Sequence, residues 1–229
     1  MNRKYEFKNF IYGILAGLSI ALGGAAYITC IYYGSPILGS VFFSCGLLLV
    51  CAFSFKLYTG QIGKVFENNK KFILDLLIMY LGNFVGAMII GIIFYLSVPN
   101  DSFKEVVETV SKSKLLLINN NGTAWYKMLA QSFLCGILVY FAVEIFKTAE
   151  HGFIKGIGLI LCVAVFVVCG FQHCIANMFY LSASLFLFTY PLESILGILL
   201  STLGNSLGAI FIWTLFYLFR KQEKIRDVC

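Results

Sequence analysis

The chain has 229 residues, 60% of them hydrophobic and only 12% charged. Soluble domains carry roughly 25% charged residues, so a water-soluble globular protein is excluded and a lipid-embedded one is implied. The net charge of +6 does not point to nucleic acid, because the basic residues sit at the ends of apolar stretches.

Charge-free segments run from Phe10 to Gly34, Pro36 to Phe55, Leu76 to Asn100, Met128 to Val143, Gly156 to Leu192 and Ser194 to Phe219. Most reach the roughly 20 residues that an apolar helix needs to cross the hydrocarbon core. Backbone groups must be satisfied internally in lipid, and the segments lack the alternation of barrel strands. An all-α membrane protein with six spans is predicted, and the first segment reads as a retained helix rather than a signal peptide. Arg3, Lys4 and Lys8, then Lys64, Lys70 and Lys71, then Lys147 and Lys155, then Arg220, Lys221, Lys224 and Arg226 all fall on one side of six spans. The positive-inside rule makes that side, with both termini, cytoplasmic. The opposite side carries short turns and one longer loop over about 99–123. The eight cysteines include no CxxC pair. They read as small apolar side chains, with no disulfide framework or metal site expected.

The chain repeats itself. Leu81-Gly-Asn-Phe-Val-Gly-Ala87 recurs as Leu203-Gly-Asn-Ser-Leu-Gly-Ala209, with the glycines four apart on one helix face, where backbones can approach. Three spans per half give the copies opposite orientation, about 10–98 and 124–219. Inverted repeats of this kind place a substrate path at the midplane, lined by discontinuous helices. Two breaks are predicted. The second span runs into Lys56-Leu-Tyr-Thr-Gly-Gln61. The segment from Gly156 to Leu192 would be about 55 Å long as one helix, so it must break at Gly170-Phe-Gln-His-Cys-Ile-Ala-Asn177.

Of the two histidines, His173 alone lies inside an apolar span, which makes it a functional candidate. Its ordinary pKa of about 6.5 suits proton donation to a passing weak-acid anion. Thr59 in the first break is its expected hydroxyl partner, or else a local backbone cap. Lys56 either attracts anions or snorkels to the interface. His151 reads as solvated, and Glu144 is placed to pair with Lys147 at i, i+3. No nucleotide loop, nucleophile elbow or metalloprotease helix is present, so no enzyme activity and no cofactor is expected.

These motifs resemble the formate/nitrite transporter family. Phe171-Gln-His-Cys-Ile-Ala-Asn-Met-Phe179 is similar to its fifth-span motif and Lys56-Leu-Tyr-Thr-Gly60 to its second-span loop. The two Gly-Asn-x-x-Gly-Ala copies resemble its third and sixth spans. The resemblance implies an aquaporin-like protomer, a homopentamer with one pore per subunit, and His173 facing Thr59 at the pore centre. By position it implies a cytoplasmic constriction at Phe43, Leu47 and Phe166, and an outer one at Leu57, Tyr58 and Val143. Gly60, Gln172, Asn177, Asn83 and Asn205 match motif or helix-break positions. Formate, nitrite, lactate and hydrosulfide are family substrates.

Three positions depart from the pattern. Gln172 stands where the family has Glu, and Tyr140 where its fourth span carries Asn, which predicts a reshaped central chamber. Ala124 stands at a family lysine, with Lys127 three residues away. The substrate is therefore open, and a divergent member of the hydrosulfide-channel type is compatible. Two other readings are a neutral-solute pore of the aquaporin type, whose Asn-Pro-Ala motifs are absent, and a sensory or structural membrane protein without transport.

Overall fold

The computed structural model describes residues 3–117 and 122–226, with side chains for 4–117 and 122–219. The basic side chains at Arg220, Lys221, Lys224 and Arg226 thus lie outside the described residues, as does that of Arg3. The elements are helices α1 (Arg3–Tyr32), α2 (Pro36–Ala52), α3 (Lys71–Leu96), α4 (Asp101–Lys112), α5 (Trp125–Thr148), α6 (Gly152–Val168), α7 (Cys174–Ala183), α8 (Phe186–Thr189) and α9 (Pro191–Arg226). Two 3-10 turns, Tyr58–Gly60 and Ile62–Lys64, lie between α2 and α3.

Helices α1, α3, α5 and α9 are each long and apolar enough to cross a membrane unaided. The second and fifth passes are assembled from pieces: α2 with the 3-10 turns, and α6 with α7. The result is an all-helical, multi-pass membrane protein of aquaporin-like inverted 3+3 architecture with broken second and fifth passes.

Both breaks use the same device. At the end of α6, Gly170 takes φ +68°, its N–H bonds to Val167 O at 3.0 Å, and Phe171 N–H reaches back to Phe166 O at 2.9 Å. At the end of α2, Ser54 takes φ +56°, with Ser54 N–H on Cys51 O at 3.3 Å and Phe55 N–H on Val50 O at 2.9 Å. This paired closure satisfies the last carbonyls of a helix that stops inside the membrane. Glycine adopts that backbone freely, whereas the serine carries a steric cost of roughly 1 kcal/mol.

The segments beyond the two breaks differ. After the second, Cys174–Ala183 holds no glycine, proline or charge and forms α7, every residue of which is buried. After the first, Gly60 and Gly63 interrupt the chain and Glu67-Asn-Asn-Lys70 comes soon afterwards, so only 3-10 turns form.

Helix α1 packs on α3 and α5 on α9, and these pairs are bridged by α2 against α6 and by α3 against α7. The close approach is made by glycines in matching places. A Cβ at Gly17 or Gly86 would strike the carbonyls of Asn83 and Ile14. A Cβ at Gly136 or Gly208 would strike those of Asn205 and Phe133.

The segment over 99–123 holds more structure than a loop. Asn100 caps α4 by accepting from Phe103 N–H at 2.8 Å, and Phe103, Val107 and Ser111 bury one face of it. Ser111 Oγ donates to Tyr180 O at 2.8 Å, fastening α4 to α7.

Candidate functional site

Each break is held by one asparagine of the neighbouring pass. Asn83 Oδ1 accepts from Tyr58 N–H at 2.9 Å, and its Nδ2 donates to the carbonyls of Gly13 and Lys56, both at 2.8 Å. Asn205 Oδ1 accepts from Cys174 N–H at 2.9 Å, and its Nδ2 donates to the carbonyls of Ser132 and Gln172, both at 2.8 Å. Both side chains are fully buried. Irregular backbone at membrane depth needs such partners, because lipid offers none. The matched bonds also define an equivalence: Lys56 corresponds to Gln172, Leu57 to His173 and Tyr58 to Cys174.

His173 and Thr59 are brought together from opposite breaks. His173 Nε2 and Thr59 Oγ1 are 3.0 Å apart, with the residues 3% and 2% exposed. His173 also caps α7, its Nδ1 accepting from Ala176 N–H at 3.2 Å. A nitrogen that accepts carries no proton, so a neutral ring here has its proton on Nε2, and Thr59 Oγ1 accepts it.

A cavity opens on either side of this pair. One, of about 310 Å³, is lined by Phe43, Phe166, His173 and Gln172 together with Lys114 and Lys127. The Phe43 and Phe166 rings meet edge to face at 5.7 Å, and Phe166 stacks on the imidazole at 5.9 Å. The other, of about 400 Å³, is lined by Leu57, Val143 and Gly60 together with Lys56, Lys147 and Lys155.

The apolar residues expected at the two constrictions therefore line the cavities the other way round. Phe43 and Phe166 face the 99–123 segment, and Leu57 and Val143 face the side bearing Lys147 and Lys155. The reason is the direction of α2. Phe43 is only seven residues past Pro36, roughly 10 Å along the helix from the turn after α1, at 1.5 Å per residue. Leu47 is buried in the core but lines neither cavity, and neither does Tyr58. The Tyr58 hydroxyl is 3.0 Å from Ser206 Oγ, and its ring packs on Tyr80.

The departing positions also find places. Tyr140 does not enter either cavity; it packs against Gly63 and Phe216. Gln172 Nε2 donates to Ser113 O at 3.1 Å and to Gln131 Oε1 at 3.3 Å, and its Oε1 accepts from Asn177 Nδ2 at 3.0 Å. Glu144 has a nearer partner than Lys147: Lys64 Nζ is at 3.1 Å and Lys147 Nζ at 4.0 Å.

One residue escaped the sequence reading. Lys114 lies between α4 and α5, outside the passes, yet burial pushes its ammonium down to about 8. In sequence it is one lysine among several in a charge-balanced loop. A hint is the apolar run Leu115-Leu-Leu117 directly after it.

The site thus defines a class: a helical membrane protein of two inverted halves, with a buried polar pair and two cavities lined in part by apolar side chains. The chain matches the family described as formate/nitrite transporter over residues 3–219, and it belongs to that family of transporters. Formate channel FocA of Haemophilus influenzae is 27% identical over 195 residues, covering 77% of this chain and 66% of that relative. This chain therefore spans just under two thirds of that channel's length. The uncharacterized transporter YrhG of Bacillus subtilis is 27% identical over 236 residues, covering 94% of this chain and 86% of that relative. A solved pentameric formate channel with formate bound superposes with a TM-score of 0.79 at 25% identity, covering 96% of this chain and 99% of its own. An FNT family ion channel gives 0.80 at 23% identity, covering 93% and 90%, and supports the fold.

Proposed function

We propose that the chain is one channel domain that passes small monovalent anions or their conjugate weak acids, of the formate, nitrite or hydrosulfide class. His173 and Thr59 form the pore centre, Phe43 and Phe166 the outer constriction, and Leu57 and Val143 the cytoplasmic one. The observation that carries this reading is the 3.0 Å contact of His173 with Thr59, set between two cavities. A bare anion cannot cheaply shed its hydration in an apolar collar, so it crosses as the neutral acid or with a hydrogen bond in place of water.

The ring's bonding favours one role for His173. A neutral Nε2–H can donate a hydrogen bond to an anion, but giving up its only proton would leave an imidazolate. An imidazolium would need a proton on Nδ1, which the α7 cap occupies. His173 is thus a hydrogen-bond donor to the passing anion, and the neutralising proton comes from cavity water.

The protomer assembles as a homopentamer in the cell (plasma or inner) membrane with both termini cytoplasmic. The pentameric state of the solved formate channel and the one-sided lysines support this. Stopped-flow flux into proteoliposomes tests the reading with formate, nitrite, hydrosulfide, lactate and glycerol, for wild type, His173→Ala and His173→Gln. The expected result is anion flux lost in His173→Ala and partly kept in His173→Gln, which retains an N–H donor. Glycerol flux alone would point to a neutral-solute pore, and no flux at all would overturn transport.

A further inference from the structure

Two hydroxyl pairs join the first half of the chain to α9. Tyr58 Oη and Ser206 Oγ are 3.0 Å apart, and Tyr80 Oη and Thr202 Oγ1 are 2.9 Å apart. Counting protons fixes the directions. Ser206 Oγ donates its one hydrogen to Thr202 O at 2.6 Å, and Thr202 Oγ1 donates its own to Ile198 O at 2.7 Å. Each tyrosine is therefore the donor.

The Tyr58–Ser206 bond has no copy in the other half. By the break equivalence and the repeat, its counterpart would join Cys174 to Phe84, and a phenyl ring offers no such acceptor. The Tyr58 backbone does not depend on it either, because Asn83 holds the Tyr58 N–H. The bond thus lies outside the duplicated scaffold that keeps backbone satisfied in lipid.

Its place in the chain gives it a use. Tyr58 and Thr59 are neighbours in one three-residue 3-10 turn. A turn so short, with Gly60 and Gly63 beside it, has little stiffness of its own. Helix α9 supplies what the turn lacks. Ser206 takes the Tyr58 hydroxyl, the Ala209 carbonyl lies 3.3 Å from where a Cβ on Gly63 would stand, and Trp213 Nε1 donates to Glu67 Oε1. These α9 residues follow one another at three and four positions, on one helix face. Asn205, next to Ser206, holds the backbone on both sides of His173, at Gln172 O and Cys174 N–H. One helix therefore grips both members of the polar pair through adjacent residues.

The grip matters because the pair is a hydrogen bond. Its 3.0 Å separation leaves only about 0.5 Å before the contact ceases to be one. Thr59 Oγ1 accepts the Nε2–H and makes no other side-chain hydrogen bond among the described residues, so its own hydrogen can be given to a passing anion.

We propose that Tyr58 and Ser206 are positioning residues for transport: their hydroxyl bond, made across the two halves, holds Thr59 in register with His173. This rests on the reading of that pair as the pore centre.

The test compares wild type, Tyr58→Phe, Ser206→Ala and the double variant, with nitrite as the probe in proteoliposomes. Each single variant lowers maximal nitrite flux by about threefold or more, as expected when a donor is misplaced. The half-saturating concentration stays within about twofold of wild type, because neither residue lines a cavity. The double variant falls no further than the single ones, since all three remove the same bond. A second readout follows the pair without flux. In a His151→Asn background His173 is the only histidine, and isotope-edited NMR of its ring nitrogens reports the bond to Thr59. That signal moves in Tyr58→Phe and Ser206→Ala alike. Wild-type flux in either single variant, an additive double variant, or an unmoved imidazole signal overturns the assignment. A signal that moves in a protein whose wild type conducts no nitrite defeats the channel reading alone. Should one single variant fail to fold, the other removes the same bond from its opposite end.

Discussion

The two breaks share a scaffold and differ in chemistry. Each ends a helix with the same paired backbone closure, and each is held by a buried asparagine making the same three bonds. Yet the equivalent positions carry Leu57 in one half and His173 in the other, and Lys56 in one and Gln172 in the other. Thr59, which meets His173, corresponds to Ile175. The duplicated parts are those that keep backbone satisfied in lipid. The parts that face the cavities have diverged, because a single central polar pair needs one donor and one acceptor rather than two of either.

The largest expected effect comes from breaking the shared scaffold. Asn83→Ala and Asn205→Ala each strip partners from three buried or partly buried backbone groups, at about 1–3 kcal/mol per group left unsatisfied. Both variants are expected to lose folded protein, with Asn205→Ala worse because α7 is wholly buried. Thermal unfolding in detergent reads this, and a melting point near wild type for either would sink the brace.

Making the breaks alike in chemistry should come next. His173→Leu copies Leu57 and is expected to cut anion flux at least tenfold while the protein remains folded. Its α7 loses the Nδ1 cap, worth roughly 1 kcal/mol. Flux that survives in His173→Leu would show that the asymmetry at these positions is incidental.

A smaller effect concerns pH. With Lys114 pushed down to about 8 by burial, the ammonium is charged below that pH and neutral above it. Nitrite stays ionised from neutral pH upward, so its apparent affinity should fall between pH 7 and 9 as the cavity loses that charge. Tyr27, Tyr180, Lys127 and His173 share the cavity. Lys114→Arg, which stays charged throughout, isolates the lysine by flattening the profile.

The smallest effects sharpen the backbone comparison. Ser54→Gly should stabilise by about 0.5–1 kcal/mol and Gly170→Ala should destabilise by about 1 kcal/mol, since both positions hold positive φ. Glu144→Gln, which removes a partly exposed ion pair with Lys64, should cost no more than about 1 kcal/mol. Paired melting curves distinguish these signs.

Sequence by itself determined the membrane class, the six passes, the repeat and the location of both breaks. Those features come from local physics: a charge-free run must be helical in lipid, and a run too long for the bilayer must turn. It also singled out His173, because an ionisable group in such a run stands out from its neighbours. Only tertiary structure decided which cavity each collar residue faces. Leu47 and Phe43 look alike in sequence, one turn apart on α2, but only Phe43 meets Phe166 beside a cavity. Tertiary structure likewise took Tyr140 out of the chamber and turned Gln172 from a family departure into a tether. It buried Lys114, because that depends on α4 docking against α7 across nearly seventy residues of chain. Composition and periodicity record what each segment needs from its solvent, while the partner of a buried polar group is fixed by packing between segments distant in sequence.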